Sequence, residues 1–127
     1  MLKNLLKKTY LMFNKVKVVH SIPGRIRLFI PSLDQFPEQM KKYENYITAI
    51  IKLKAGINNI EYSYTTSKIL VEYDKTKLKE EDIVNWLNKI WKIIVDNEDV
   101  YHGMSMDEVE KNVKKFYEML KNELERG

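Results

Sequence analysis

"HSIPGRIRLFIP", residues 20–31, decides how the chain folds. After the Pro23-Gly24 pair, Ile26, Leu28 and Ile30 alternate with Arg25 and Arg27, the period of a strand with one face on a core. Ahead of the pair, Val16 and Val18 alternate with Lys15 and Lys17, so residues 15–30 read as strand, turn, strand. Pro31 closes the stretch, because it has no N–H for a ladder and biases the residue before it toward extended geometry.

Downstream the period lengthens. Asp34 is a candidate N-cap with Pro37 in the first turn, and Phe36, Met40, Tyr43, Ile47, Ile50 and Ile51 then recur at helical spacing until Gly56. Around the polar run Thr65-Thr66-Ser67-Lys68, β-branched and aromatic residues predict a hairpin with strands over 57–64 and 69–73. A second amphipathic helix is expected over 79–95, with Ile83, Leu87, Ile90, Trp91 and Ile94 on one side. After the connector "DNEDVYHGM", Ser105 and Glu108 form a capping box, and the helix they start carries Met106, Val109, Val113, Phe116, Leu120 and Leu124 as an apolar seam. That seam needs a surface, on its own domain or on a partner.

The order of elements predicts an α+β chain: an open sandwich with an antiparallel sheet and two helices on one face, plus N-terminal and C-terminal helical extensions. Three parts are expected: an amphipathic segment at 1–14, a core domain at 15–95, and an acidic connector with the C-terminal helix at 96–127. A complete ferredoxin-like fold needs a last strand after the second helix, and the connector is a poor strand. Residues 15–20 are the candidate to fill that edge, and dimerisation is the other way to cover it.

Composition narrows the function. Without cysteine, disulfides, thiolate metal sites and cysteine nucleophiles are excluded. At 31% charged residues and a mean hydropathy of −0.45, no stretch approaches the ~20 apolar residues of a membrane span. The net charge of +4 divides unevenly, with +7 over residues 1–33 and −4 over residues 96–127. Contact between the ends, head-to-tail association and an anionic partner for the basic part all follow from that division, as does a merely solvated surface. Residues 1–13 place Leu2, Leu5, Leu6 and Phe13 near one side of a helix with Lys3, Lys7 and Lys8 elsewhere. With lysines interrupting the apolar stretch and no small-residue cleavage site after it, a signal peptide is not expected, and two fates are, packing on the domain or peripheral membrane contact. No phosphate loop, nucleophile motif or hydrolase-type histidine-carboxylate spacing is present, so the chain is expected not to be an enzyme.

The run "HSIPGRIRLFIP", a helix, "GINNIEYSYTTSKILVEYD" and a helix beginning "KEEDIVNWL" together resemble the heavy-metal-associated domain family. The likeness is to the divergent branch without a Cys-x-x-Cys loop, marked here by Pro23-Gly24-Arg25 with Arg27 following, and it covers residues 16–95. It implies a ferredoxin-like fold and a non-enzymatic role in bacterial iron or transition-metal transport or storage, with haem or iron as the implied cofactor. Such domains stand alone or at the N-termini of metal-transporting P-type ATPases, so an ATPase or another metal-system protein is the implied partner. A cytoplasmic location follows, peripheral at the membrane if residues 1–13 bind it.

Residue chemistry adds a candidate site. His20 stands beside a glycine turn and its imidazole suits iron, zinc or haem; Ser21 and Gly24 flank it, and Arg25 and Arg27 suit carboxylates such as haem propionates. The plainer reading makes Pro23-Gly24 a bend, the arginines a solvent face and His20 a locally bonded residue. His102 and Met104 in "YHGMSM" are candidate further metal ligands, with a structural link as the alternative. Nucleic acid is disfavoured: Tyr62, Tyr64 and Tyr73 lie on the hairpin, but the ribonucleoprotein signature is missing. The reading from another class is a structural protein that oligomerises or docks through its sheet edge and C-terminal helix.

Overall fold

The computed structural model describes residues 15–31, 33–36, 38–97, 99 and 103–126. Two strands, β1 (Lys17–Ile22) and β2 (Arg25–Phe29), are joined by the Pro23-Gly24 turn. Gly24 has φ +86°, the conformation that a Pro-Gly type II turn requires at its third position. A Cβ there would stand 3.3 Å from the Tyr73 carbonyl oxygen, and the Gly24 carbonyl accepts the Tyr73 N–H at 3.0 Å.

The second hairpin is β3 (Ile57–Ser63) and β4 (Lys68–Tyr73). All four strands form one antiparallel sheet in the order β1-β2-β4-β3. This is the ferredoxin-like arrangement, and the place beside β2 that a last strand would take is held by β1. Residues from 17 onward therefore fill the sheet edge, as the sequence allowed.

Helices α1 (Glu44–Ile51) and α2 (Glu80–Asp96) cover one face of the sheet. The core joins Ile26 and Leu28 of β2, Ile69 and Val71 of β4, Ile50 and Ile51 of α1, and Ile83, Leu87 and Ile90 of α2. Ile26, Leu28, Val71 and Ile83 are fully enclosed, and each contributes roughly 1.5–3 kcal/mol of burial. Polar ties set the layers: Trp86 Nε1 donates to the Ile51 carbonyl at 2.9 Å, the hydroxyls of Thr48 and Tyr62 are 2.7 Å apart, and Tyr64 OH donates to Glu44 at 2.7 Å. The Val16 N–H, just before β1, donates to Asn88 Oδ1 of α2 at 3.1 Å.

Two helix expectations need correction. Residues after Pro31 do not enter one long helix at Asp34; they form two 3-10 segments, Leu33–Gln35 and Glu38–Tyr43, before α1 begins. Asp34 does not cap with its side chain. Its N–H instead donates to Ser67 Oγ at 2.9 Å, and the Ser67 carbonyl accepts the Ile30 N–H, so the β3–β4 turn holds this connection from outside. The C-terminal helix starts at the expected capping box, with the Glu108 N–H on Ser105 Oγ at 3.2 Å. It breaks at Asn112, whose side-chain amide donates to the Glu108 carbonyl at 2.7 Å, giving α3 (Met106–Lys111) and α4 (Val113–Arg126).

The seam of α4 finds its surface on its own chain. Leu124 is buried in the core cluster, Tyr117 and Leu120 pack against it, and the Tyr117 ring meets Tyr46 of α1 edge-on at 5.2 Å. Glu110 of α3 accepts hydrogen bonds from Gln39 and Tyr43, both at 2.9 Å, and pairs with Lys42. The Lys42 hydrogen bond, followed by those from Tyr43 and Gln39, holds the Glu110 carboxyl below its ordinary pKa. The expected N-terminal helix at 1–14 lies outside the described residues.

Two outcomes follow. Ile26→Ala, which empties the centre of the core, is expected to cost about 2–5 kcal/mol in urea unfolding; a loss within experimental error would contradict the core assignment. A carboxyl with a depressed folded pKa stabilises above its unfolded pKa and loses that contribution as pH falls through the lower folded value. Glu110→Gln should therefore lower the melting temperature at pH 7, and the gap to the wild-type chain should close as pH falls below the carboxylate range. A gap of the same size in acid would show that charge is not what Glu110 supplies.

Candidate functional site: the open face of the sheet

Directly paired residues of antiparallel strands share a face, so the register fixes what the face away from the helices carries. One row across the sheet is His20, Arg27, Leu70 and Glu61. The next, toward the Pro23-Gly24 turn, is Ile22, Arg25, Glu72 and Asn59. On the other side of His20 lie Lys17, Phe29, Lys68 and Ser63. Ile26 and Leu28 alternate with these residues and face the core, which leaves Arg25 and Arg27 outward and exposed.

His20 reaches this face through a bulge. Simple alternation through Val16 and Val18 would put His20 on their side of the strand. The pairing instead jumps from Val18 opposite Leu28 to His20 opposite Arg27, with Val19 the extra residue. A bulge of this kind re-aims the side chains beyond it, and here it brings the imidazole beside the Arg27 guanidinium.

Among the described residues, no hydrogen bond or ion pair engages the side chains of His20, Arg25, Arg27, Lys17 or Lys68. Glu72 is occupied by Asn59 Nδ2 at 3.1 Å. Leu70 is only 7% exposed although it lies between the core-facing Ile69 and Val71 and points the other way. It floors a shallow depression of about 130 Å³ lined by Arg27, Glu61, Ser63 and Lys68. That volume is well below the ~300 Å³ at which pockets enclose small molecules, so a ligand would lie on the face instead of inside it.

The five candidate ligand residues divide. His20, Arg25 and Arg27 come together. Ser21 pairs with Ile26 and faces the helical layer, and Gly24 serves the turn, its close approach being to the Tyr73 carbonyl. Met104 is partly buried ahead of α3, whose Glu110 is tied to Gln39 and Tyr43. His102 lies outside the described residues. No group of three His, Asp or Glu residues that would hold a metal ion occurs among the described residues.

The hairpin tyrosines do not form an exposed stacking platform. Tyr73 is buried, Tyr62 and Tyr64 stack on each other at 6.0 Å, and Phe36 covers Tyr64 at 5.7 Å. Burial, against a smaller opposing effect of the Thr48 hydrogen bond, pushes the Tyr62 phenol up to about 12. Burial, with the hydrogen bond to Glu44, raises Tyr64 further. Both therefore remain neutral and structural. The missed features were the bulge and the exposed Val18, Val19 and Ile22 of β1; the unusual adjacency Val18-Val19, two β-branched residues breaking the alternation, was the available signal.

No helix among the described residues is long and apolar enough to cross a membrane. Comparison with curated proteins and with solved structures gives no match. A family described as heavy metal associated domain 2 matches residues 6–126, which extends past the core domain to both flanking segments. With its Pro-Gly-Arg hairpin, its four-stranded sheet backed by two helices and no cysteine, the chain belongs to the heavy metal associated domain 2 family.

Proposed function

We propose that this chain is a non-enzymatic binding module that carries haem on the open face of its sheet. The observation that supports this reading is the convergence of His20, Arg25 and Arg27, none with a side-chain partner among the described residues, on one face around the apolar Leu70 and Phe29. Haem calls for a nitrogen donor to its iron, cations for its carboxylates and apolar surface beside its ring. His20 would give the first, Arg25 and Arg27 the second through bidentate hydrogen bonds, and the half-buried Phe29 part of the third. Bound there, haem would supply redox-active iron to whatever partner receives it. A bare metal ion is less well served, because a single imidazole closes no site and no carboxylate cluster joins it.

The family's association with metal systems makes a metal-transporting P-type ATPase, or another protein of iron or transition-metal handling, the proposed recipient. The cationic hairpin, with Lys15, Lys17, Arg25 and Arg27 and no acidic residue between them, favours an anionic ligand or an acidic docking surface.

Titration of the purified chain with ferric haem, followed by absorption spectroscopy, tests the reading. A saturable Soret shift is expected. His20→Ala should remove the spectral signature of nitrogen ligation, and Arg25→Ala with Arg27→Ala should weaken binding about tenfold or more, as loss of charge-assisted pairs implies. A shift that survives unchanged in His20→Ala would overturn the assignment.

A further inference from the structure

We infer that the hairpin of β1 and β2 docks on an anionic lipid surface, with Val18, Val19 and Ile22 of the β1 edge entering the headgroup layer and Lys15, Lys17, Arg25 and Arg27 meeting the lipid phosphates. The inference does not rest on the haem reading.

Two observations coincide on this edge of the sheet. Strand β1 has a neighbour on one side only, and the large hydrophobic residues left exposed among those described, Val18, Val19 and Ile22 at 41%, 47% and 49%, all lie on it. Around them stand exposed cations. Lys15 and Lys17 precede the apolar run, Arg25 and Arg27 lie on the adjoining strand, and Lys75 flanks the turn, its Cβ 4.0 Å from the place a Gly24 Cβ would take. None of these five side chains has a hydrogen-bond or ion-pair partner among the described residues. The nearby acids are engaged elsewhere, Glu72 with Asn59 Nδ2 at 3.1 Å and Asp74 with the Thr76 hydroxyl at 2.6 Å. The sequence ahead of β1 repeats the mixture: Leu2, Leu5, Leu6 and Phe13 alternate with Lys3, Lys7 and Lys8, and residues 1–33 hold no acid at all.

This combination suits a bilayer better than a strand or a nucleic acid. The bulge after Val18 and Pro23, which has no N–H, leave a strand partner only residues 19–22 to pair with regularly. Nor do the apolar side chains share a face: Ile22, opposite Arg25, lies on the open face, Val18, opposite Leu28, lies on the helical side, and Val19 is the extra residue between them. A lipid surface asks for neither a ladder nor a single face. It takes apolar side chains to a depth of about 5–10 Å and gathers cations at the level of its phosphates. The unpaired N–H and C=O groups of the edge stay hydrated among headgroups, which holds β1 at that depth and out of the hydrocarbon. A nucleic acid would use the cations and leave the apolar edge in water, and the tyrosines of the second hairpin are not open for base stacking.

Flotation of the haem-free full chain with vesicles tests the inference. The chain should float with phosphatidylcholine mixed with phosphatidylglycerol and stay behind with phosphatidylcholine alone. Lys15→Gln with Lys17→Gln should weaken partitioning on the order of tenfold, as the loss of two cations near an anionic surface implies. Val19→Ser with Ile22→Ser should weaken it about tenfold as well, with circular dichroism unaltered in both. The native chain has no cysteine, so a polarity-sensitive dye placed through Val19→Cys or Ile22→Cys reports insertion directly. Its emission should shift to the blue on mixed vesicles, while the same dye at Lys111→Cys on exposed α3 should not respond. A chain that ignores mixed vesicles overturns the inference and leaves the edge to a protein strand or to water. Flotation unchanged in both double variants, with no dye shift at positions 19 and 22, assigns lipid contact to residues 1–13 and overturns the hairpin's part. Binding weakened by the lysine pair alone makes the surface a patch for any polyanion, nucleic acid included, and overturns the insertion. None of the substituted residues belongs to the proposed haem site, so haem uptake reads that proposal separately.

Discussion

The antiparallel pairing of β1 with β2 across the Pro23-Gly24 turn is the constraint on which the rest of the molecule depends. It places β1 where a ferredoxin-like sheet needs an outer strand, so β2 becomes a central strand paired on both sides. A central strand must present one face to each side of the sheet. The RIRLF sequence satisfies both: Ile26 and Leu28 enter the core, and Arg25 and Arg27 face out. Gly24 at φ +86° permits the turn, and its carbonyl then accepts the Tyr73 N–H, so the same residue links the first hairpin to the second. Fold and candidate site are thus two faces of one strand.

The site owes its composition to an irregularity. Without the extra residue at Val19, His20 would join Val16 and Val18 on the side of the helical layer, and the open face would hold arginines with no imidazole. The bulge costs regular pairing at the edge and leaves Val18 and Val19 exposed. It sets the histidine next to two cations whose side chains are engaged by nothing else among the described residues.

Much of this was legible in the sequence. The alternation in residues 25–30, the hairpin around Thr65–Lys68, the helix ending near Asp96 and the Ser105–Glu108 cap all follow from local periodicity and capping chemistry, and they appear nearly where those rules put them. What failed depended on distant partners. The segments Leu33–Gln35 and Glu38–Tyr43 are wound as 3-10 turns under contacts from Ser67 and Glu110, residues far along the chain that no local pattern reveals. The face of His20 was hidden because a bulge shifts register without a strong signature of its own. Ser21 and Gly24 adjoin His20 in sequence, yet Ser21 pairs with Ile26 on the helical side and Gly24 makes the turn against the Tyr73 carbonyl.

The proposed haem site on the open face stands or falls with His20. A 15N-labelled sample titrated with ferric haem tests this most directly, because the paramagnetic iron broadens only the amides near it. Broadening centred on His20, Arg27 and Leu70, with the amides of α1, α2 and α4 unaffected, is the result expected here. Broadening centred on the helical layer or on the segment before α3, or none that saturates, would contradict it.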